Sequence, residues 1–216
     1  MKIKFLGHSC FLLTDDSGTS LLTDPYKSGA YGGALTYSPV TDSADVVVMS
    51  HEHEDHAEIQ GLPNRPLMIR TAARARGIEF DVVETYHDEE QGKKRGNNRV
   101  FCFTLDGIRV CHLGDLGHLL TPVQVKSVGK VDILLIPVGG TFTIGPSEAT
   151  KVVEQINPGI VIPMHFKTEK CGFPIESVEA FLQGKSGVRR STAGEVIVHK
   201  EDIPTKTTFL YLPPCN

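Results

Sequence analysis

Apolar and polar positions alternate through Lys2-Ile3-Lys4-Phe5-Leu6, the pattern of a strand with one buried face. Cys10-Phe11-Leu12-Leu13 and Thr19-Ser20-Leu21-Leu22-Thr23 follow, separated by the turn-forming Asp15-Asp16-Ser17-Gly18, so the chain is predicted to open as a β-meander. Asp24-Pro25 ends the third strand. Residues 26–43, rich in Gly, Ser and Tyr, show no periodicity and read as a long loop, a feature often functional in compact domains. The apolar run over 45–50 predicts a buried strand. A short helix is expected over 57–61, stopped by Gly61 and Pro63. Strands are expected over 67–70 and 80–84, with a short helix over 71–76 between them. Two further strands, 100–104 and 108–112, flank Asp106-Gly107, a strong two-residue hairpin signal.

The pattern then changes to alternation of strands and helices. Thr121-Pro122 supplies a capping residue and a first-turn proline for a helix over 122–128. Residues 132–137 form a continuous apolar strand. Ala149, Val152, Val153 and Ile156 recur at i, i+3, i+4 and i+7, one apolar helix face. An apolar strand over 160–163 leads into Met164-His165. Ile175, Val178, Phe181 and Leu182 mark a last helix, and closing strands are expected over 195–199 and 209–212. Both halves run from strands into helices, which suits two sheets packed face to face with helices outside. With 216 residues and no repeat or linker, a single domain over 1–216 is expected.

Composition narrows the class. Hydrophobic residues at 40% and charged residues at 22% are ordinary for a globular chain. A net charge of −4 offers no reason to expect a nucleic-acid or anionic-membrane partner. Five widely spaced cysteines without a Cys-x-x-Cys pair point to free thiols in a reducing compartment. The opening apolar run breaks at Gly7-His8-Ser9 without a cleavage site, and no stretch reaches the ~18 apolar residues of a membrane helix. A cytoplasmic protein acting on a small molecule, with homo-oligomerisation open, is the expectation.

The candidate chemistry lies in His51-Glu52-His53-Glu54-Asp55-His56, at the end of the 45–50 strand. Imidazole nitrogen and carboxylate oxygen are preferred ligands of zinc and other first-row divalent ions. On an extended chain His51 and His53 project to one side, whereas Asp55 and His56 diverge and can serve a second ion. Other strand ends offer further ligands: His165 after 160–163, Asp115 in His112-Leu113-Gly114-Asp115, and His87 after 80–86. Asp115 has two oxygens with which to bridge two cations, and Gly114 allows close backbone approach.

The segments Gly7-His8-Ser9-Cys10-Phe11, Thr23-Asp24-Pro25, Ser50-His51-Glu52-His53-Glu54-Asp55-His56, His112-Leu113-Gly114-Asp115, Pro137-Val138-Gly139-Gly140 and Pro163-Met164-His165-Phe166-Lys167-Thr168 resemble the metallo-β-lactamase superfamily. Within it they are most similar to the branch of small metal-dependent hydrolases that includes ascorbate-6-phosphate lactonase-like proteins. The resemblance spans residues 3–168 and implies an α/β fold, a four-layer αββα sandwich with a dinuclear site at one edge of its two sheets. It implies that His51, His53 and a third histidine hold one metal, that Asp55, His56 and His165 hold the other, and that Asp115 bridges. The third histidine is assigned to His87, with His112 as the rival.

No Gly-x-Ser-x-Gly elbow or cysteine–histidine nucleophile motif is present, so the nucleophile is expected to be a hydroxide shared by two divalent cations, zinc ahead of manganese or iron. Asp55 is the expected base, and His118 a candidate proton donor. His8, Lys167 and the strand-to-helix loop with Gly140 and Thr141 are the substrate-binding candidates; the basic run 92–99 reads as a solvated turn ahead of its alternative, attraction of a phosphate-bearing small molecule. The expected activity is hydrolysis of a small ester, lactone or phosphodiester. An RNA-processing nuclease and an iron-dependent redox protein on the same fold are the alternatives.

Overall fold

The computed structural model describes residues 1–215; Asn216 lies outside the described residues. Fourteen strands form two sheets among the described residues. The first contains β1 (Lys2–Gly7), β2 (Cys10–Thr14), β3 (Ser20–Thr23), β4 (Val46–Val48), β5 (Leu67–Ile69) and β13 (Glu195–Ile197), in the order β13-β1-β2-β3-β4-β5. The second contains β6 (Ala73–Ala75), β7 (Ile78–Tyr86), β8 (Asn97–Leu105), β9 (Ile108–His112), β10 (Ile133–Pro137), β11 (Ile160–Met164), β12 (Val188–Arg190) and β14 (Thr208–Tyr211), in the order β12-β14-β11-β10-β9-β8-β7-β6.

Period-two patterning sets the layers. Ile3, Phe5, Leu21, Val46 and Val48 join Phe101, Phe103, Leu134 and Ile136 in one core shared by both sheets, whereas Leu6, Leu22 and Val47 belong to a second apolar cluster. Three helices, α2 (Pro122–Val128), α3 (Pro146–Ile156) and α4 (Val178–Leu182), add apolar residues to the shared core. The stripe Ala149, Val152, Val153 and Ile156 is buried as its spacing requires. Thr121 and Gln124 close a reciprocal capping box at the start of α2. Asp106 and Gly107, at φ 50 and 72, make the expected hairpin turn.

Two expectations change. Residues 57–61 form turns rather than a helix, with Ala57, Ile59 and Leu62 packed on the second cluster. Residues 71–76 are not helical: β6 pairs antiparallel with β7 through Arg76-Gly77, whose φ of 52 and 81 are those of a tight hairpin turn. Cross-strand pairing outweighs the helical preference of three alanines, Ala72, Ala73 and Ala75. Strand β12 had no sequence signal. The architecture is mixed α/β with two sheets and helices, but the cover over Leu6, Leu22 and Val47 is loop: Tyr26, Ala30, Leu35, Tyr37, Val40 and Ala44. Glycine and proline forbid a longer helix there; in the one turn present, α1 (Ala30–Gly33), Tyr31 and Gly32 hold φ of 52 and 67.

All five cysteines are unpaired thiols. No helix among the described residues is long and apolar enough to cross a membrane.

Candidate metal centre

Strands β3 and β4 run parallel, as do β9, β10 and β11, so both sheets turn several carboxyl ends toward one edge. The residues that follow those ends, and the ends of β1 and β7, converge. His8, Asp24 and His165 sit there at φ 54, 37 and 50, sparsely populated geometry for non-glycine residues that clusters at functional sites.

Three donor sets result: His51, His53 and His87; His51, His56 and Asp115; and His8, Asp55, His56 and His165. Within each set the ligating atoms lie within 4.8 Å of one another. One oxygen, Asp115 Oδ2, stands at the centre. It lies 3.2 Å from Nε2 of both His56 and His87, 3.4 Å from that of His165 and 3.9 Å from that of His51. The Nε2 atoms of His51, His56 and His165, and Asp115 Oδ1, are buried without a hydrogen-bond partner. Buried polar atoms are normally satisfied, and unspent imidazole lone pairs around a shared carboxylate are what divalent cations need. The residues fit the group.

Electrostatics agree. Burial, reinforced by neighbouring His56, pulls His51 down to about 3. Burial and His165 pull His8 down to about 4. Burial and His87 lower His53. These rings are neutral donors at pH 7. His56 differs: burial opposes its charge, but Asp115 and Asp55 prevail and raise it. A cation bound there displaces that proton.

Behind the donors lies a residue whose role the sequence did not reveal. Asp24 Oδ2 accepts from His56 Nδ1 at 3.0 Å, from His112 Nε2 at 2.8 Å and from the Ser50 hydroxyl at 2.6 Å, while Oδ1 accepts from the Ser50 amide at 2.7 Å. The Ser50 hydroxyl oxygen is also 2.9 Å from His51 Nδ1. Asp24 therefore sets the tautomers of His56 and, through Ser50, of His51, leaving each Nε2 free for a metal. His112 is committed to Asp24, and the structure brings His87 to His51 and His53.

Two close packings hold the Asp115 loop. Asn98 donates to the Leu113 carbonyl at 2.9 Å and accepts from the Asp115 amide at 2.9 Å. Gly114, at φ 55, leaves room for Ser50; a Cβ there would stand 2.3 Å from Ser50 Cβ. Gly114→Ala should thus cost about 1–3 kcal/mol from overpacking and lower the metal content. Urea unfolding with elemental analysis checks this; wild-type values for both would refute it.

The cluster opens into a cavity of about 260 Å³ lined by Tyr31, His53, Asp55, His87, Arg95, Asp115, Phe142, His165 and Phe173. Five candidates are placed elsewhere. His8 is 1% exposed and engages Asp55 Oδ2 at 3.0 Å, so it orients Asp55 from behind rather than facing substrate. Lys167 is exposed on another face and donates to the Phe173 carbonyl at 2.8 Å. Gly140 and Thr141 line a separate groove with His118; their loop reaches the cavity through Phe142. His118 spends both ring nitrogens on backbone, accepting from the Tyr86 amide at 3.2 Å and donating to the Leu119 carbonyl at 2.8 Å, a poor setting for a proton donor to substrate.

A β-lactamase superfamily domain model matches residues 2–165. The chain is 28% identical to a UPF0173 metal-dependent hydrolase of Methanoculleus marisnigri, over 89% of this chain and 91% of that one. It is 32% identical to a UPF0173 protein of Pyrococcus furiosus, over 82% and 88%. A solved structure from Thermotoga maritima, described as a candidate zinc-dependent hydrolase of the metallo-β-lactamase superfamily, superposes with a TM-score of 0.77 at 35% identity, covering 98% of this chain and 99% of that one. With a donor cluster at the sheet edge and these relatives, the chain belongs to the metallo-β-lactamase superfamily, as one of its metal-dependent hydrolases.

Proposed function

We propose that the protein holds two divalent cations, zinc foremost, and hydrolyses a small ester, lactone or phosphodiester. The observation that carries this reading is the division of the donors into two sets around one carboxylate, Asp115. His51, His53 and His87 would hold one cation, and Asp55, His56 and His165 the other. Zinc is favoured by the nitrogen-rich donor set and by the description of the Thermotoga maritima relative. When bound, such cations ionise water near neutral pH and polarise a carbonyl or phosphoryl oxygen.

The chain's own groups do the rest. Asp55 stays ionised: burial opposes the charge, but His56 and His8 hold it well below the usual carboxylate range. Its Oδ2 is fixed by His8 and its Oδ1 accepts from the Tyr31 hydroxyl at 3.1 Å, so it is an oriented base at the cavity wall. Burial and the negative charge of Asp55 push the Tyr31 phenol up; it keeps its proton and donates it to Asp55 Oδ1.

Purified protein should contain two metal ions per chain and hydrolyse some member of a panel of small lactones, esters and phosphodiesters. Chelation should abolish that turnover, and zinc should restore it. A metal-free preparation with full activity would refute the reading.

A further inference from the structure

We infer that the substrate carries an anionic group remote from the bond that is cleaved, and that Arg95 is the residue that reads it. This rests on the hydrolase reading only in that the metal centre takes the other end of the molecule. Among the described residues, Arg95 is the one cationic side chain lining the cavity apart from the histidines. Among the described residues, no carboxylate lies within 4 Å of its guanidinium, in contrast to Arg70, Arg99, Arg109 and Arg190, which all have acidic partners. Exposed Glu89 is its nearest acidic influence, and that carboxylate pairs with Lys94 instead; a half-buried guanidinium on a cavity wall with no ion pair of its own is a receptor for an anion.

The guanidinium is held ready. Its Nη2 donates to the Thr141 carbonyl at 3.1 Å, and its carbon lies 5.5 Å from the Phe142 ring centroid. Its backbone is fixed as well. The buried Asp88 carboxylate accepts from four amides of one turn, those of Glu90, Gly92, Lys94 and Arg95, at 2.8–2.9 Å. Asp88 follows the donor His87 directly, so one rigid turn sets the position of a metal ligand and of the arginine together. A solvated basic turn needs no such buried anchor.

The rest of the wall describes the middle of the substrate. Phe173 packs against Phe142 and Tyr31, each at 5.4 Å between centroids, giving an apolar, aromatic surface between the donor cluster and the arginine's carrier ring. The cavity, about 260 Å³, is below the ~300–1,000 Å³ of sites for drug-sized ligands. A compact, flat or apolar monoanion fits.

The test uses the zinc-loaded protein and ligands that cannot be hydrolysed. Binding of benzoate, isophthalate and terephthalate is measured by titration calorimetry. One carboxylate of each can reach the metals; only the two dicarboxylates carry a second anion, at different spans. At least one dicarboxylate should bind about tenfold tighter than benzoate. Arg95→Gln should erase that advantage and leave benzoate unchanged, and Arg95→Lys should keep part of it. Retained benzoate affinity shows that the variants are folded and loaded. Equal affinities in the wild type, no binding of either dicarboxylate, or an advantage that survives Arg95→Gln would overturn the assignment. Turnover plays no part in this readout, so a failed hydrolase assay and a failed arginine assignment are told apart.

Discussion

On the dinuclear reading proposed above, Asp115→Ala is expected to purify depleted of metal and without hydrolytic activity. The lost oxygen is the one atom within 3.2–3.9 Å of four imidazole Nε2 atoms, and no other carboxylate among the described residues occupies that position. Its own charge is secure: burial opposes ionisation, but His165 and His56 hold it well below the usual carboxylate range. Without it, Asp55 would be the one carboxylate left among the proposed donors to offset the charge of bound cations. The loss of activity should exceed the ~10–100-fold typical of residues that merely support metal ligands. Elemental analysis and turnover on any substrate the wild type accepts check this. A variant that keeps two ions per chain would contradict the bridging role.

Asp24→Asn should show the second-largest effect, and on two readouts. The amide places an N–H₂ group among His56, His112 and Ser50, all of which donate to the native carboxylate. Breaking a buried charge network in this way costs on the order of 3–5 kcal/mol, a large part of a typical 5–15 kcal/mol stability. Metal affinity should drop by ~10–100-fold as His56 and His51 lose their orientation. The pH dependence has a definite sign. Burial works against the Asp24 charge, but His112 and His56 hold its carboxyl well below the usual range. A depressed folded value means the stabilisation is complete above the unfolded pKa of ~3.9 and declines as pH falls through the folded value. The gap between wild type and variant in urea unfolding should therefore be full at pH 7 and shrink below about pH 4. A gap of equal size at all pH values would show that Asp24 acts through packing rather than charge.

These two aspartates also mark how much of the site could be read from the chain. Asp115 stood out because a glycine and a strand end precede it. Asp24 also follows a strand, but Asp-Pro reads equally well as a simple strand terminator, and its partners are 26, 32 and 88 residues away. His87 and His112 both end strands. Nothing in their spacing shows that one turns toward His51 and His53 while the other turns back to Asp24. Arg95 lay in a basic run that looks solvated, and its anchor Asp88 is visible only once four amides close around it. Tyr31, Phe142 and Phe173 come from segments without periodicity.

By itself the order of residues determined most of the strands, the hairpin at Asp106-Gly107, the α3 stripe and the inventory of nitrogen and oxygen donors, because period-two and period-3.6 burial and metal chemistry are local properties. Tertiary structure alone decided which donors meet, which carboxylate orients them and which rings wall the cavity. Those outcomes depend on the relative placement of loops carried by two sheets, and no local pattern encodes the distance between chain segments that first touch when the sheets pack.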